Sequence, residues 1–124
     1  MVSRVGDLQD RLISDVACLG LDLDFDLELR PYSKNYFGVY NPNNDKIVLY
    51  VYQDRNKKHL YPYWTILSSF IHEIVHYIQW NDPNFVRNKG VMHDTQFYGL
   101  YNSYIDKMKS VLLLREVVHS EKAR

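Results

Sequence analysis

The chain has one cysteine, Cys18, and this scarcity removes two architectures at once. A lone thiol forms no internal disulfide and cannot build a cysteine zinc site. Cys18 falls on the expected first helix, where it reads as a core filler. An excess of charge of one sign is also lacking: 15 Lys and Arg balance 15 Asp and Glu, so no general field favours nucleic acid or a membrane surface. No stretch approaches the roughly 20 apolar residues of a membrane span. Met1 to Asp10 carries charges and no apolar run of the signal-peptide kind. The expectation is a cytoplasmic protein with no membrane partner. Internal repeats and low-complexity segments are absent as well. What is present is 124 residues with 46% apolar content, enough for one core, and residues 1–124 read as a single domain.

The apolar pattern divides the chain into six elements. Val5, Leu8, Leu12, Val16 and Leu19 mark one face of an amphipathic helix, with Gly20 as its stop. From Leu21 to Arg30, apolar and polar residues alternate, the period of a strand with one face on a core. Pro31 ends it. Tyr36 to Tyr40 and Lys46 to Tyr52 read as two further strands, joined as a hairpin by the turn-forming run Asn41-Pro42-Asn43-Asn44-Asp45. Trp64, Leu67, Phe70, Ile71, Ile74, Val75 and Ile78 recur at helical spacing. Pro62 suits the first turn of that helix, and Asn81-Asp82-Pro83 ends it. A last helix follows, with Phe97, Leu100, Tyr101, Tyr104, Ile105, Met108 and Leu112 on one side. The order predicts an α+β domain: N-terminal helix, three-stranded antiparallel sheet, motif helix and C-terminal helix, with the helices on one face of the sheet.

The most informative residues are His72-Glu73-Ile74-Val75-His76. On a helix, histidines four apart share a face, with Cβ atoms about 5–6 Å apart. Both imidazoles can turn onto one zinc ion. Glu73 is rotated about 100° from His72, beside the metal rather than under it. There it can act as general base without taking a coordination site, the arrangement of metalloproteases. A catalytic zinc takes three protein ligands and leaves one position open. Downstream candidates for the third are His93, His119, Asp82, Asp94, Asp106 and Glu116. His93 is favoured: it follows a short loop, Asn81 to Met92, that can reverse the chain, and it stands where a new helix begins. Asp94 is suited to cap that helix or to hydrogen-bond a ligand histidine. Glu116 lies about six turns along the last helix, too far away, and His119 is in a polar terminus.

With these residues the chain resembles a small zincin, and more closely the SprT-like metallopeptidases. That family carries His-Glu-x-x-His on one helix and a third His after a loop, commonly as His-Gly-x-x-Phe at the next helix start. Here the corresponding stretch is His93-Asp94-Thr95-Gln96-Phe97, 17 residues beyond His76. Asp94 stands where the family has Gly, and the chain contains no cysteine-rich zinc ribbon. The resemblance covers residues 62 to about 104. It implies His72, His76 and His93 as ligands of one zinc ion and Glu73 as the catalytic acid/base. It also implies a protein or peptide substrate held along a strand bordering the cleft. Two other readings remain: a zinc-stabilised protein-binding module without peptidase activity, and a protease acting on DNA-associated proteins.

Other features read as ordinary surface. The acidic stripe Asp22, Asp24, Asp26 and Glu28 lacks the turn and glycine of a calcium loop and reads as a solvated strand face. Arg55, Lys57, Lys58 and His59 form a short basic cluster that reads as solvated, with nucleic acid the functional alternative. Tyr101 or Tyr104 could donate a hydrogen bond to an oxyanion, and most of the eleven tyrosines read as packing residues.

Overall fold

The computed structural model describes residues 4–21, 24–83, 93 and 95–122, with side chains for 6–21, 24–83, 93 and 95–114. The fold is α+β: three helices and one three-stranded mixed sheet. In chain order the elements are α1 (Arg4–Ala17), β1 (Asp26–Arg30), β2 (Gly38–Asn41), β3 (Lys46–Tyr50), α2 (Tyr63–Asn81) and α3 (Thr95–Lys122). No helix among the described residues is long and apolar enough to cross a membrane.

Helix α1 forms along the expected face. Leu12 and Val16 are fully buried, Leu19 is nearly so, and Leu8 packs beside them. Gly20 ends the segment at φ +73°, a conformation that costs glycine nothing. Cys18 is a correction. It is exposed, because the buried stripe at 12, 16 and 19 leaves position 18 on the far side of the turn; its thiol reaches back to the Ser14 carbonyl at 3.7 Å.

The sheet corrects the expected antiparallel arrangement. β2 and β3 do form an antiparallel hairpin, with Val39 opposite Val48. But β1 joins the far side of β3 and runs parallel to it, Leu27 opposite Ile47, so the spatial order is β1-β3-β2. The reason lies in composition. Ile47, Val48 and Leu49 are all buried, an unbroken apolar run that suits a central strand flanked on both sides. In β2, residues alternate between half-buried and exposed, which suits an edge. Strand β1 is also shorter than the Leu21–Arg30 alternation. Leu21 and Phe25 still pack on the core, but from the connector before the strand.

The hairpin turn is fastened by its own polar residues. Asn41 accepts the Asn43 amide at 3.0 Å, Asp45 takes φ +47°, and the Tyr40 hydroxyl donates to Asp45 at 2.7 Å. Helix α2 begins one residue later than the proline suggested: Pro62, at ψ 145°, precedes the first turn rather than standing in it. It ends before Pro83, with Asp82 forced to extended backbone. Between these ends α2 is apolar on most sides and packs against β2, β3, α1 and α3. Leu67, Phe70, Ile71 and Ile74 are central to the core, which Ile105 and Met108 of α3 complete.

Candidate metal centre and its cleft

Burial of Ile71, Ile74 and Val75 fixes the rotation of α2, and that rotation turns His72 and His76 outward on one side. Their rings lie 5.0 Å apart, as the four-residue spacing requires. His93, just before α3, meets both: its Nε2 is 3.1 Å from Nε2 of His72 and 3.0 Å from Nε2 of His76. Phe97, in the first turn of α3 and wholly buried, supports all three rings with centroids at 4.7–4.8 Å. The three-histidine cluster therefore rests on an apolar floor contributed by the opposing helix.

This donor set fits a metal ion better than it fits hydrogen bonding. Each neutral imidazole Nε2 is either one donor or one acceptor. Nε2 of His93 faces two equivalent partners, and a single proton satisfies only one of them. Three imidazole nitrogens gathered within 4.8 Å of one another are what a cation takes. A tetrahedral zinc with Zn–N bonds of about 2.0–2.1 Å separates its ligand nitrogens by about 3.3 Å, close to the contacts seen. Burial, followed by the charge of neighbouring histidines, pushes the ring pKa values of His72 and His76 down to about 4. Both rings are then neutral near neutral pH, the form a metal requires.

Glu73 stands beside the cluster, its Oε2 4.0 Å from Nε2 of His72. Its residue is only 7% exposed. Burial pushes its carboxyl up to about 7, opposed by one hydrogen bond from the main-chain N–H of Tyr40. That donor comes from the outer side of β2. Tyr50 N–H donates to the Phe37 carbonyl, so alternate residues 37, 39 and 41 face β3 while Gly38 and Tyr40 turn their backbone groups away from it. At Gly38 an added Cβ would lie 3.3 Å from Glu73 Cγ and 2.9 Å from Leu49 Cδ2. A hydrogen on this residue lets the edge strand lie directly on the glutamate.

An open cleft of about 290 Å³ runs from this point. Asn35 to Gly38 form one wall, Ser68, Ser69, His72 and Glu73 of α2 the floor, and Tyr101 of α3 the other side. No protein-family model, curated protein or solved structure matches this chain.

The structure thus brings His72, His76, His93 and Glu73 together, and the three histidines are the cluster able to hold a metal among the described residues. Asp82 and Asp106 are exposed and lie outside it. Asp94, the loop from residue 84 to 92, and the side chains of Glu116 and His119 lie outside the described residues. Of the two tyrosines, Tyr101 lines the cleft and Tyr104 does not. Sequence reasoning missed the Tyr40 amide, Gly38, the two serines and the supporting role of Phe97. The serines did carry a signal, since positions 68 and 69 precede 72 and 73 by four residues and so share their face. The basic cluster is a loop ordered by Asp54, which accepts the amides of Lys58 and His59. Glu28 of the acidic stripe is paired to Lys46 and Arg30.

Proposed function

We propose that this chain is a zinc-dependent endopeptidase of the zincin type, similar to the SprT-like metallopeptidases. The observation that carries the reading is the convergence of three imidazole Nε2 atoms beside a buried carboxylate at the end of an open cleft. His72, His76 and His93 would hold the ion. When bound, zinc supplies Lewis-acid polarisation of the scissile carbonyl and acidifies a water.

The protein's own groups do the rest. Glu73 takes a proton from the attacking water and returns one to the leaving amine. The Tyr40 amide fixes the carboxylate in the orientation that transfer needs. Phe97 keeps the three rings in place and excludes water behind them. The outward backbone groups of Gly38 can pair with an extended peptide laid along β2, an edge strand. Main-chain bonds of this kind hold a substrate without regard to its sequence.

The test is elemental analysis of protein purified without chelator, paired with hydrolysis of an unfolded protein substrate. Wild type should carry about one zinc per chain and His93→Ala much less. Glu73→Gln should keep the zinc and lose hydrolysis by two orders of magnitude or more, the scale of a lost general base. Wild type that holds zinc and cleaves nothing would favour a zinc-stabilised binding module instead.

A further inference from the structure

Ser68 and Ser69 lie on α2 one turn before His72 and Glu73, and both line the cleft. Ser68 Oγ donates to the Thr65 carbonyl at 3.1 Å, and Ser69 Oγ donates to the same carbonyl at 2.8 Å. A carbonyl only accepts, so both hydroxyl protons are committed to the helix backbone. What the two oxygens present to the cleft is lone pairs. Tyr36 and Phe37 stand at the rim, 58% and 52% exposed, and Tyr101 faces them from α3. Among the described residues, no lysine or arginine lines this space.

We propose that the cleft is the subsite for a lysine or arginine side chain of the substrate, its cation held by the Ser68 and Ser69 oxygens and its methylene stem lying against Tyr36, Phe37 and Tyr101. This assignment rests on the peptidase reading above. The chemistry discriminates in three directions. A long cation gains charge-assisted hydrogen bonds from acceptors that have no proton left to give, and it gains the faces of aromatic rings. An aliphatic side chain strips water from the serine oxygens and returns nothing. An acidic side chain meets acceptors together with the Glu73 carboxylate. The volume, about 290 Å³, admits either basic side chain.

The experiment uses zinc-loaded protein and a set of quenched peptides. The residues flanking the scissile bond are varied in turn among Lys, Arg, Gln, Leu, Phe and Glu. At one of the two positions, Lys and Arg peptides should be cleaved with kcat/KM about tenfold or more above Leu and Gln, with Glu lowest, the scale of one charge-assisted hydrogen bond. In Ser68→Ala/Ser69→Ala that ratio should fall to within about threefold. Alanine suits a helix interior, so this variant should keep its circular dichroism spectrum. A second readout is the anisotropy of labelled peptides bound to zinc-loaded Glu73→Gln, where the Lys peptide should bind about tenfold tighter than the Leu peptide. Equal or better use of Leu, Phe or Glu overturns the subsite, as does a Lys-to-Leu ratio indifferent to the serines. If zinc-loaded wild type cleaves no peptide, the peptidase reading fails separately. The anisotropy then decides the subsite: tighter binding of the Lys peptide supports it, and equal binding overturns it.

Discussion

At Gly38 a single hydrogen atom separates a working edge strand from a displaced one. A methyl group there meets Leu49 Cδ2, the Val48 carbonyl and Glu73 Cγ at 2.9–3.3 Å. The leucine end can swing aside, but the carbonyl belongs to the central strand and the glutamate is packed in place. Gly38→Ala should therefore move Glu73 relative to the histidines. On the proposed peptidase reading, hydrolysis should drop by about tenfold to a hundredfold, since small misplacements near a reacting centre are this costly. Zinc content, read by elemental analysis, should stay at the wild-type level. A parallel loss of zinc would mean that the strand supports the ligands rather than the glutamate. The role of Gly38 was not legible in the sequence, because it depends on which residue lies across from it in space.

Among the elements, α1 and α2 are joined by a polar contact within an otherwise apolar seam. The Tyr63 hydroxyl donates to Asp15 at 2.5 Å, and Asp15 is 1% exposed. Tyr63→Phe removes one donor from a buried carboxylate and should cost about 1–3 kcal/mol in urea denaturation. Arg11 lies 3.6 Å above the same ring, and that contact would survive the substitution. Strands β1 and β3 are tied differently, by Lys46 donating to Glu28 at 2.8 Å on the surface. The Lys46 hydrogen bond, then that of Arg30, holds the Glu28 carboxyl below its usual 4.5. A carboxyl lowered on folding stabilises the fold above its unfolded value and loses that contribution as pH falls through the folded one. The difference in urea midpoint between wild type and Lys46→Gln should thus be small but present near neutral pH. It should shrink below about pH 4.5. A difference that grows on acidification would contradict this pairing. The strands themselves were visible as apolar runs, and their neighbours were not. The alternation in Leu21–Arg30 specifies a face, whereas the parallel pairing of β1 with β3 joins segments far apart in the chain.

On the scale of the whole molecule, the three-histidine cluster joins two parts of the chain. His72 and His76 belong to α2, while His93 leads into α3. An ion held by this cluster would bind only the folded state, so on the proposed reading stability should rise with its concentration. At a free zinc level of about 100 times Kd the gain is about 2.7 kcal/mol. Calorimetry should show Tm climbing with added zinc and returning on chelation. His93→Ala should lose most of that response. A Tm indifferent to zinc would show that the three nitrogens do not act as one site.

The sequence by itself determined the helices, the apolar faces and the His72-Glu73-Ile74-Val75-His76 motif. Each of these is a matter of local period: four residues bring His72 over His76, and the same helix turns Glu73 to their side. It also ranked His93 first among distant candidates, because a ligand needs a reversal of the chain and a rigid element behind it. Only the tertiary structure decided that β1 lies parallel to β3 and that β2 is the edge beside the glutamate. It alone brought the Tyr40 amide to Glu73, set Phe97 beneath the three rings, and opened the cleft over Ser68 and Ser69. Those outcomes follow from competition among buried surfaces far apart in the chain. No local pattern encodes that competition.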